Sequence, residues 1–347
     1  MADSIIEERR LRLVLVSLIG IGVLFILFFS YLAVGAVDFG FFDVMEALIS
    51  AIQKGGQDLT PIEAIVYHAR LPRAIGVIAV GIGLSVSGVV LQAIIRNPLV
   101  DPYITGISSG AGLMAAIVMA SGITFLGSLT FTVPIAAFIG AIAAFSCTIL
   151  LAEASGGRPI SFVLAGVIVG LGFSAFTTII LVFAGDQVHG ILFWLFGSFT
   201  WVSWTNVWVM LIPILMLAIA ICLYARELNL ILIGDEQARQ LGLNVKGFKR
   251  LIIVLTSILT ALSVAFTGII SFLGLIVPHI SRILVGGDHR ILLPVSMLMG
   301  ANILLLGDIV ARTAARPMEL PVGAIIALIG VPFFAYLMIR RGKQYVG

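Results

Sequence analysis

Residues Arg226–Arg250, RELNLILIGDEQARQLGLNVKGFKR, form the only long polar segment inside a chain that is otherwise almost wholly apolar. Gly234-Asp235-Glu236-Gln237 has the form of a turn with an acidic helix start, Glu236–Leu241 that of a short amphipathic helix, and Gly242 with Asn244 that of its stop. The spacing predicts a helix-sized knob held between two membrane spans. A solvated connector with helical propensity is the plainer reading of the same residues.

The rest of the chain makes the segment stand out. Of 347 residues 61% are hydrophobic and 11% charged, and the mean hydropathy is +1.20. No water-soluble core requires such values. The chain is an all-α polytopic membrane protein. At about 20 residues per crossing the apolar tracts hold about ten transmembrane helices and leave no room for a soluble domain, so residues 1–347 are a single transmembrane domain. Any energy source or soluble receptor is another chain. Cys147 and Cys222 lie in apolar tracts, read as small core residues, and suggest neither a disulfide nor a metal site.

Working outward, Leu13–Val37 reads as an uncleaved first span and Asp38–Glu63 as a mixed connector. Ala74–Ile95 is the second span, with Gly81, Gly83, Ser85, Ser87 and Gly88 placing small residues where helices approach closely. Tyr103–Ala120, Ile123–Ala152 and Ile160–Ala184 follow. In the third span, Ser108 and Ser109 suit packing better than a polar pathway. From Ile191 to Ala225 no charge appears for 35 residues, about 50 Å of helix against a bilayer core of about 30 Å. A broken or re-entrant piece around Phe193–Thr200, with Gly197 as the break, and a sixth span from Trp204 account for that length. Trp194, Trp201, Trp204 and Trp208 cluster as an interfacial belt would. Beyond the polar segment, Leu251–Gly268, Ile270–Val285, Ile291–Leu306 and Leu320–Ile339 complete ten spans, with Asp308–Glu319 as a polar linker.

The positive-inside rule supports this parity. With an internal N-terminus, fifteen of the twenty Lys and Arg residues fall inside; only Lys54, Arg70, Arg73, Arg312 and Arg316 fall outside. Both termini and the 226–250 loop are then cytoplasmic, in a cell (inner) membrane, while Arg70, Arg73 and Arg312 face outward.

Eight ordered motifs carry a further reading: RLPR at Arg70–Arg73, QxxxRNPLVDP from Gln92, GISSGA at Gly106–Ala111, GDEQARQLG at Gly234–Gly242, FLGLIVPHISR at Phe272–Arg282, GGDHR at Gly286–Arg290, GDIVAR at Gly307–Arg312 and ELPVG at Glu319–Gly323. Over about residues 60–340 the chain resembles the FecCD family, ten-span permeases of type II ABC importers for iron-siderophores, haem and vitamin B12. The resemblance implies a vitamin B12 permease-like fold, a second copy of the chain, two cytoplasmic ABC ATPase subunits and an extracytoplasmic substrate-binding protein. It implies a metal-chelate cargo, an iron-siderophore first and cobalamin, haem or molybdate as alternatives, with no nucleic acid. ATP and Mg are bound by the ATPase, since the chain has no G-x-x-x-x-G-K-[ST] loop, and the chain itself is not an enzyme and carries no cofactor.

Residue by residue, the resemblance assigns ATPase coupling to Gly234, Asp235, Glu236, Ala238, Leu241 and Gly242. It assigns binding-protein docking to Arg70, Arg73 and Arg312, because guanidinium grips carboxylates bidentately; for Arg312 an i,i+4 pair with Asp308 is an equal alternative. The pathway runs along the fifth and tenth spans at a two-fold axis, with Pro159, Ile160 and Ser161 at the gate, where this chain departs from the small polar gate of the vitamin B12 permease. His279 reads as a packed helix histidine, and His68 and His189 as surface histidines. Spans 2–5 and 7–10 are offset by five crossings, which predicts an inverted repeat. An ion-coupled secondary transporter is the rival class; it needs buried acids in mid-span, and Asp101, Asp186 and Asp308 all fall near expected span ends. An intramembrane hydrolase would need a mid-depth Ser/His or paired-acid constellation, and none is visible.

Overall fold

The computed structural model of the chain describes residues 2–124, 129–157 and 159–342, and every regular element among them is helical. In order these are α1 (Ala2–Ala33), α2 (Phe41–Gln53), α3 (Pro61–Ala64), α4 (Leu71–Ile95), α5 (Ile107–Ser121), α6 (Leu129–Ala154), α7 (Pro159–Phe183) and α8 (Val188–Leu195). There follow α9 (Trp204–Leu223), α10 (Ala225–Ile233), α11 (Asp235–Gln240), α12 (Val245–Thr267), α13 (Leu273–Val285), α14 (His289–Thr313) and α15 (Val322–Gly342). By length and composition, α1, the run from Pro61 to Ile95, α6, α7, α9, α12 and α14 are able to cross a membrane, and α5, α13 and α15 are shorter apolar helices. Seven such spans and three shorter apolar helices, among the described residues, accord with the about ten the sequence predicts. Arg158 and Lys343, counted among the internal positive charges, lie outside the described residues.

The run containing α4 is the centre of the bundle. Its most apolar stretch is 83% buried, against 6% for α1 and 17% for α7, so the others are arranged around it. The small residues explain how. A Cβ at Gly81 would stand 2.5 Å from the Gly300 carbonyl oxygen, so α4 and α14 touch backbone to backbone, and Gly88 meets Gly274 of α13 in the same way. Between α3 and α4 the chain makes one π-helical turn, Ile65–Arg70, directly before Pro72. That wider turn accommodates a proline ring that would otherwise crowd the carbonyl four residues back.

The two sets of four spans show paired packing. α4 lies on α14 as α12 lies on α6, and α4 lies on α13 as α12 lies on α5. Exchanging the two sets of four spans maps one list of neighbours onto the other.

The apolar tracts break at Gly197 and Gly268, where the expected spans divide. α8 stops before Gly197, whose φ of +79° suits glycine, and α9 starts at Trp204. α12 stops at Gly268, φ +71°. The two breaks rest on each other: the Ser198 N–H donates to the Thr267 carbonyl at 2.8 Å, and a Cβ at Gly197 would lie 2.5 Å from the Ile269 oxygen. Irregular backbone within the span region is thus buried against irregular backbone, which satisfies its polar groups.

Four sequence expectations are corrected. Asp308–Glu319 is not a linker, because α14 continues to Thr313 and buries Asp308 to 1% exposure. Asn244 does not stop α11; its side chain accepts from the Gly247 N–H and opens α12. Cys147 is exposed rather than a core residue. Trp194 is buried in the core while Trp201 and Trp208 are exposed, so the belt has three members.

Candidate coupling site

The 225–250 segment is two helices and a turn. α10 buries Leu228 and Ile231, which at i and i+3 share one face. Gly234, φ +139°, breaks it from α11. α11 ends in a two-bond glycine stop: the Gly242 N–H reaches Arg239 O at 2.9 Å, the Leu243 N–H reaches Ala238 O at 3.0 Å, and Gly242 has φ +88°. Large apolar side chains protrude among the polar ones. Leu241 is 63% exposed and Ile233 61%, with Leu232 and Glu236 beside them.

Of the six residues assigned to coupling, Glu236, Leu241 and Gly242 therefore face outward. Ala238 is fully buried and serves the seating of α11 instead of a contact; a methyl group at i+3 from the helix start faces inward here. Leu232 and Ile233, exposed beside them, are not among the six. Their signal was an apolar pair directly before a glycine at a polar end.

Asp235 is turned inward to basic partners. Its carboxylate takes Lys249 Nζ of α12 at 2.6 Å and also Arg96, the residue that ends α4 in a left-handed conformation, φ +54°. Arg96 in addition donates to the Ile231 carbonyl at 3.1 and 2.8 Å, closing the end of α10. Asn229 of α10 donates to Asp288 at 2.7 Å and accepts from the His289 N–H at 2.9 Å, at the start of α14. Arg250 pairs with Glu153, the end of α6, at 2.8 Å. The α10–α11 segment is thus fastened to α4, α12 and α14, and α12 in turn to α6.

Partial burial raises the Asp235 carboxyl, but the Lys249 hydrogen bond and the charges of Lys249 and Arg96 outweigh it and hold it below its ordinary value. A depressed carboxyl contributes stability that is present above the unfolded value and lost as pH falls through the folded one. Asp235→Asn is expected to raise amide exchange across 225–244 in the assembled protein. Because the pair is more than a third exposed, the loss is about 1 kcal/mol or less. In the wild type, protection is expected to hold at neutral pH and fall only below about pH 4, which exchange measured against pH checks.

At the opposite end the three arginines are not free to dock. Arg70, Arg73 and Arg312 are 5%, 8% and 6% exposed. Arg73 grips Asp308 bidentately, at 2.9 Å from Nε and 2.9 Å from Nη2, and reaches Glu319 at 2.8 and 3.1 Å. Arg70 donates to the Leu32, Ala33 and Val37 carbonyls at 2.6, 2.8 and 2.5 Å, covering the open C-terminal carbonyls of α1. Arg312 lies 3.8 Å over the Tyr31 ring and donates to the Tyr31 carbonyl at 3.0 Å. All three guanidinium groups are buried and engaged within the chain, where the docking assignment expects exposed arginines, and Arg312 Nε has no hydrogen-bond partner. Asp308 likewise corrects the expectation that no acid lies buried within a span, yet both its oxygens are held, Oδ2 by the Tyr31 hydroxyl at 2.5 Å as well as by Arg73.

Pro159 opens α7, Ile160 is 61% exposed, and the Ser161 hydroxyl donates back to the Ser155 carbonyl at 3.0 Å. Higher on the same helix, Ser174 donates to Ser109 of α5 at 3.2 Å. Ser108, Ser109, Ser174, Thr177 and Thr178 line a cavity of about 270 Å³ between α5, α7 and α8. His279 lies edge-on to Phe333 and Phe334, packed as expected. Among the described residues no three His, Cys, Asp or Glu side chains converge as metal ligands.

This all-helical membrane bundle with a tied, protruding loop has relatives. The model of the FecCD transport family matches residues 23–340. The chain belongs to that family. This FecCD chain is 43% identical over 281 residues to the cobalamin import system permease protein BtuC of Halobacterium salinarum, covering 80% of this chain and 74% of the relative. It is 36% identical over 286 residues to the Fe(3+) dicitrate transport system permease protein FecC of Escherichia coli, covering 81% and 84%. A solved structure described as an inward-facing conformation of a metal-chelate type ABC transporter superposes with a TM-score of 0.79 at 30% identity, over 95% of this chain and 99% of that one. As a FecCD member the chain is a multi-pass permease subunit, a transport component without catalysis of its own.

Proposed function

We propose that this FecCD chain is the membrane half of an ATP-driven importer that moves a metal chelate, with α10, α11 and the turn at Gly242 as the contact to a cytoplasmic ATPase. The observation that carries this is the loop itself: Leu232, Ile233 and Leu241 stand out of the bundle while Asp235, Arg96, Lys249 and Asn229 fasten the same segment to α4, α12 and α14. A flexible connector needs neither property. Exposed apolar residues on a rigidly tied knob suit a soluble partner that pushes. The ion-coupled alternative loses support, because Asp308 is fixed by Tyr31 and Arg73 instead of facing an ion path.

The loop end is then cytoplasmic, with both termini on that side, and the arginine cluster lies on the outer side, where a substrate-binding protein delivers cargo. Two ATPase subunits and a second copy of this chain complete the complex. The exposed apolar faces of α7, which is only 17% buried, and of α15 support the second copy, since the cavity lined by Ser109, Ser174, Leu192 and Phe196 sits beside α7. Ser161, Ile160 and Pro159 lie at the inner mouth of that path.

For the cargo we propose a ferric siderophore, because the relatives' cargoes include an iron–carboxylate chelate; the 43% identity with a cobalamin permease favours cobalamin as the second reading. The test is ATP hydrolysis by the chain reconstituted with its ATPase and binding protein, across ferric siderophores, haem, cobalamin and molybdate. Stimulation by one ligand together with its uptake is the expected result. Failure of any ATPase to assemble with the chain would overturn the importer reading.

A further inference from the structure

Helix α2 belongs to none of the ten spans and has no role in the account above. Its thirteen residues present three faces. Val44, Ala47 and Ala51 are buried against the bundle. Asp43, Glu46 and Gln53 form an exposed polar face. Between these, Phe41, Phe42, Ile49 and Ile52 point away from the protein at 53%, 84%, 52% and 59% exposure. At 100° per residue those four fall within about a third of the helix circumference.

Left in water, four large apolar side chains on one stripe would forfeit roughly 25 cal/mol for every Å² they could bury, and they form the contiguous patch that soluble surfaces avoid. The patch is also continuous with a lipid-facing surface. Ring pairs run from α1 into α2: Phe28 to Phe29 at 5.6 Å, Phe29 to Phe41 at 5.8 Å, Phe41 to Phe42 at 5.8 Å. On α1, Phe25 and Ile26 are 60% and 67% exposed, on a helix that spans with almost nothing covering it.

The height of α2 is fixed as well. Arg70 holds the carbonyls of Leu32, Ala33 and Val37, Arg316 holds Asp38 at 2.8 and 3.0 Å, and Lys54 beyond the far end pairs with Glu63 at 2.7 Å. A helix starting eight residues after the end of a span, clamped at both ends, cannot leave the membrane surface.

We propose that α2 is an in-plane helix whose Phe41–Ile52 stripe is seated in the outer-leaflet boundary between headgroups and acyl chains, with its acidic face toward water. The partner is the lipid surface itself. Three faces in this order are what such a helix needs: one for the protein, one for acyl chains, one for solvent. α2 carries no Lys or Arg between Phe41 and Gln53, so the seating is apolar and does not call for anionic lipid.

The proposal rests on the membrane-permease reading only for the presence of a bilayer, and its test needs no transport. Single cysteines at 43, 46, 49 and 52, in the full chain with Cys147→Ser and Cys222→Ala, are spin-labelled in vesicles of zwitterionic lipid. Collision with oxygen, which concentrates in lipid, is compared with collision with a water-soluble nickel chelate. The oxygen-to-nickel ratio is expected to be several-fold higher at 49 and 52 than at 43 and 46, with 43 and 52 half a turn apart on the helix. If one labelled variant does not fold, a remaining pair from the two faces gives the same comparison. A nickel-dominated ratio at both 49 and 52 would overturn the proposal. So would water access at those positions that is lost only when the binding protein is added, which would make the stripe a protein-docking surface. Either result leaves the importer reading standing, because that depends on the opposite end of the molecule.

Discussion

Replacing Asp308 by alanine is expected to destabilise the protein by about 3–5 kcal/mol, the cost of leaving a buried charge without its partner. Asp308 of α14 is 1% exposed and joins three elements that are far apart in the chain. The Tyr31 hydroxyl from α1 donates at 2.5 Å, Arg73 from α4 donates twice at 2.9 Å, and Arg312 Nε lies 3.7 Å away. Without the carboxylate, Arg73 keeps only Glu319, and Arg312 keeps the Tyr31 ring and carbonyl. Asp308→Asn preserves the shape but not the charge, and is expected to fall between. Adding Arg73→Met to Asp308→Ala removes the stranded cation and is expected to recover part of the loss, since apolar replacement of a buried pair is often neutral. Thermal midpoints of the purified chain in detergent check this order. A midpoint unchanged by Asp308→Ala would mean that the cluster does not hold α1, α4 and α14 together.

The second large effect is expected at the other end. Leu241 is 63% exposed beside a glycine turn, and its side chain belongs to none of the packed clusters of the bundle. Leu241→Asp should therefore leave folding and membrane insertion intact. At an interface the same change places a charge where an apolar anchor was, a loss of about 2 kcal/mol or more, which is about thirtyfold in affinity. Transport is expected to collapse while the thermal midpoint stays. The two variants thus separate the ends of the molecule: Asp308→Ala acts on stability and Leu241→Asp on communication.

Which parts of this were legible from the sequence follows from the range of the forces involved. The break at Gly197 and the restart at Trp204 could be read because a 35-residue run without charge exceeds one bilayer crossing. α11 could be read from its glycine boundaries. The coupling segment was visible as polar sequence between apolar runs, but α10 was not separated from it, since a nine-residue helix is shorter than a hydropathy window resolves. Asp308 and Arg312 read as the start of a linker because charge normally ends a span. What keeps them inside is Arg73, 235 positions earlier, and no local pattern reports such a pairing. The same blindness made Arg70 and Arg73 look like surface arginines: their partners are carbonyls at the end of α1 and carboxylates on α14 and after it. Asn244 opens α12 instead of closing α11, because asparagine serves either end of a helix.

The most direct measurement of the central claim is ATP hydrolysis and ligand uptake recorded in the same vesicles, with wild-type chain and with Leu241→Asp, each assembled with the ATPase and binding protein. The account predicts that the variant complex hydrolyses ATP without ligand entering, or hydrolyses none because the ATPase no longer engages. Uptake per ATP equal to wild type would contradict it, and the 225–250 segment would then be a connector after all.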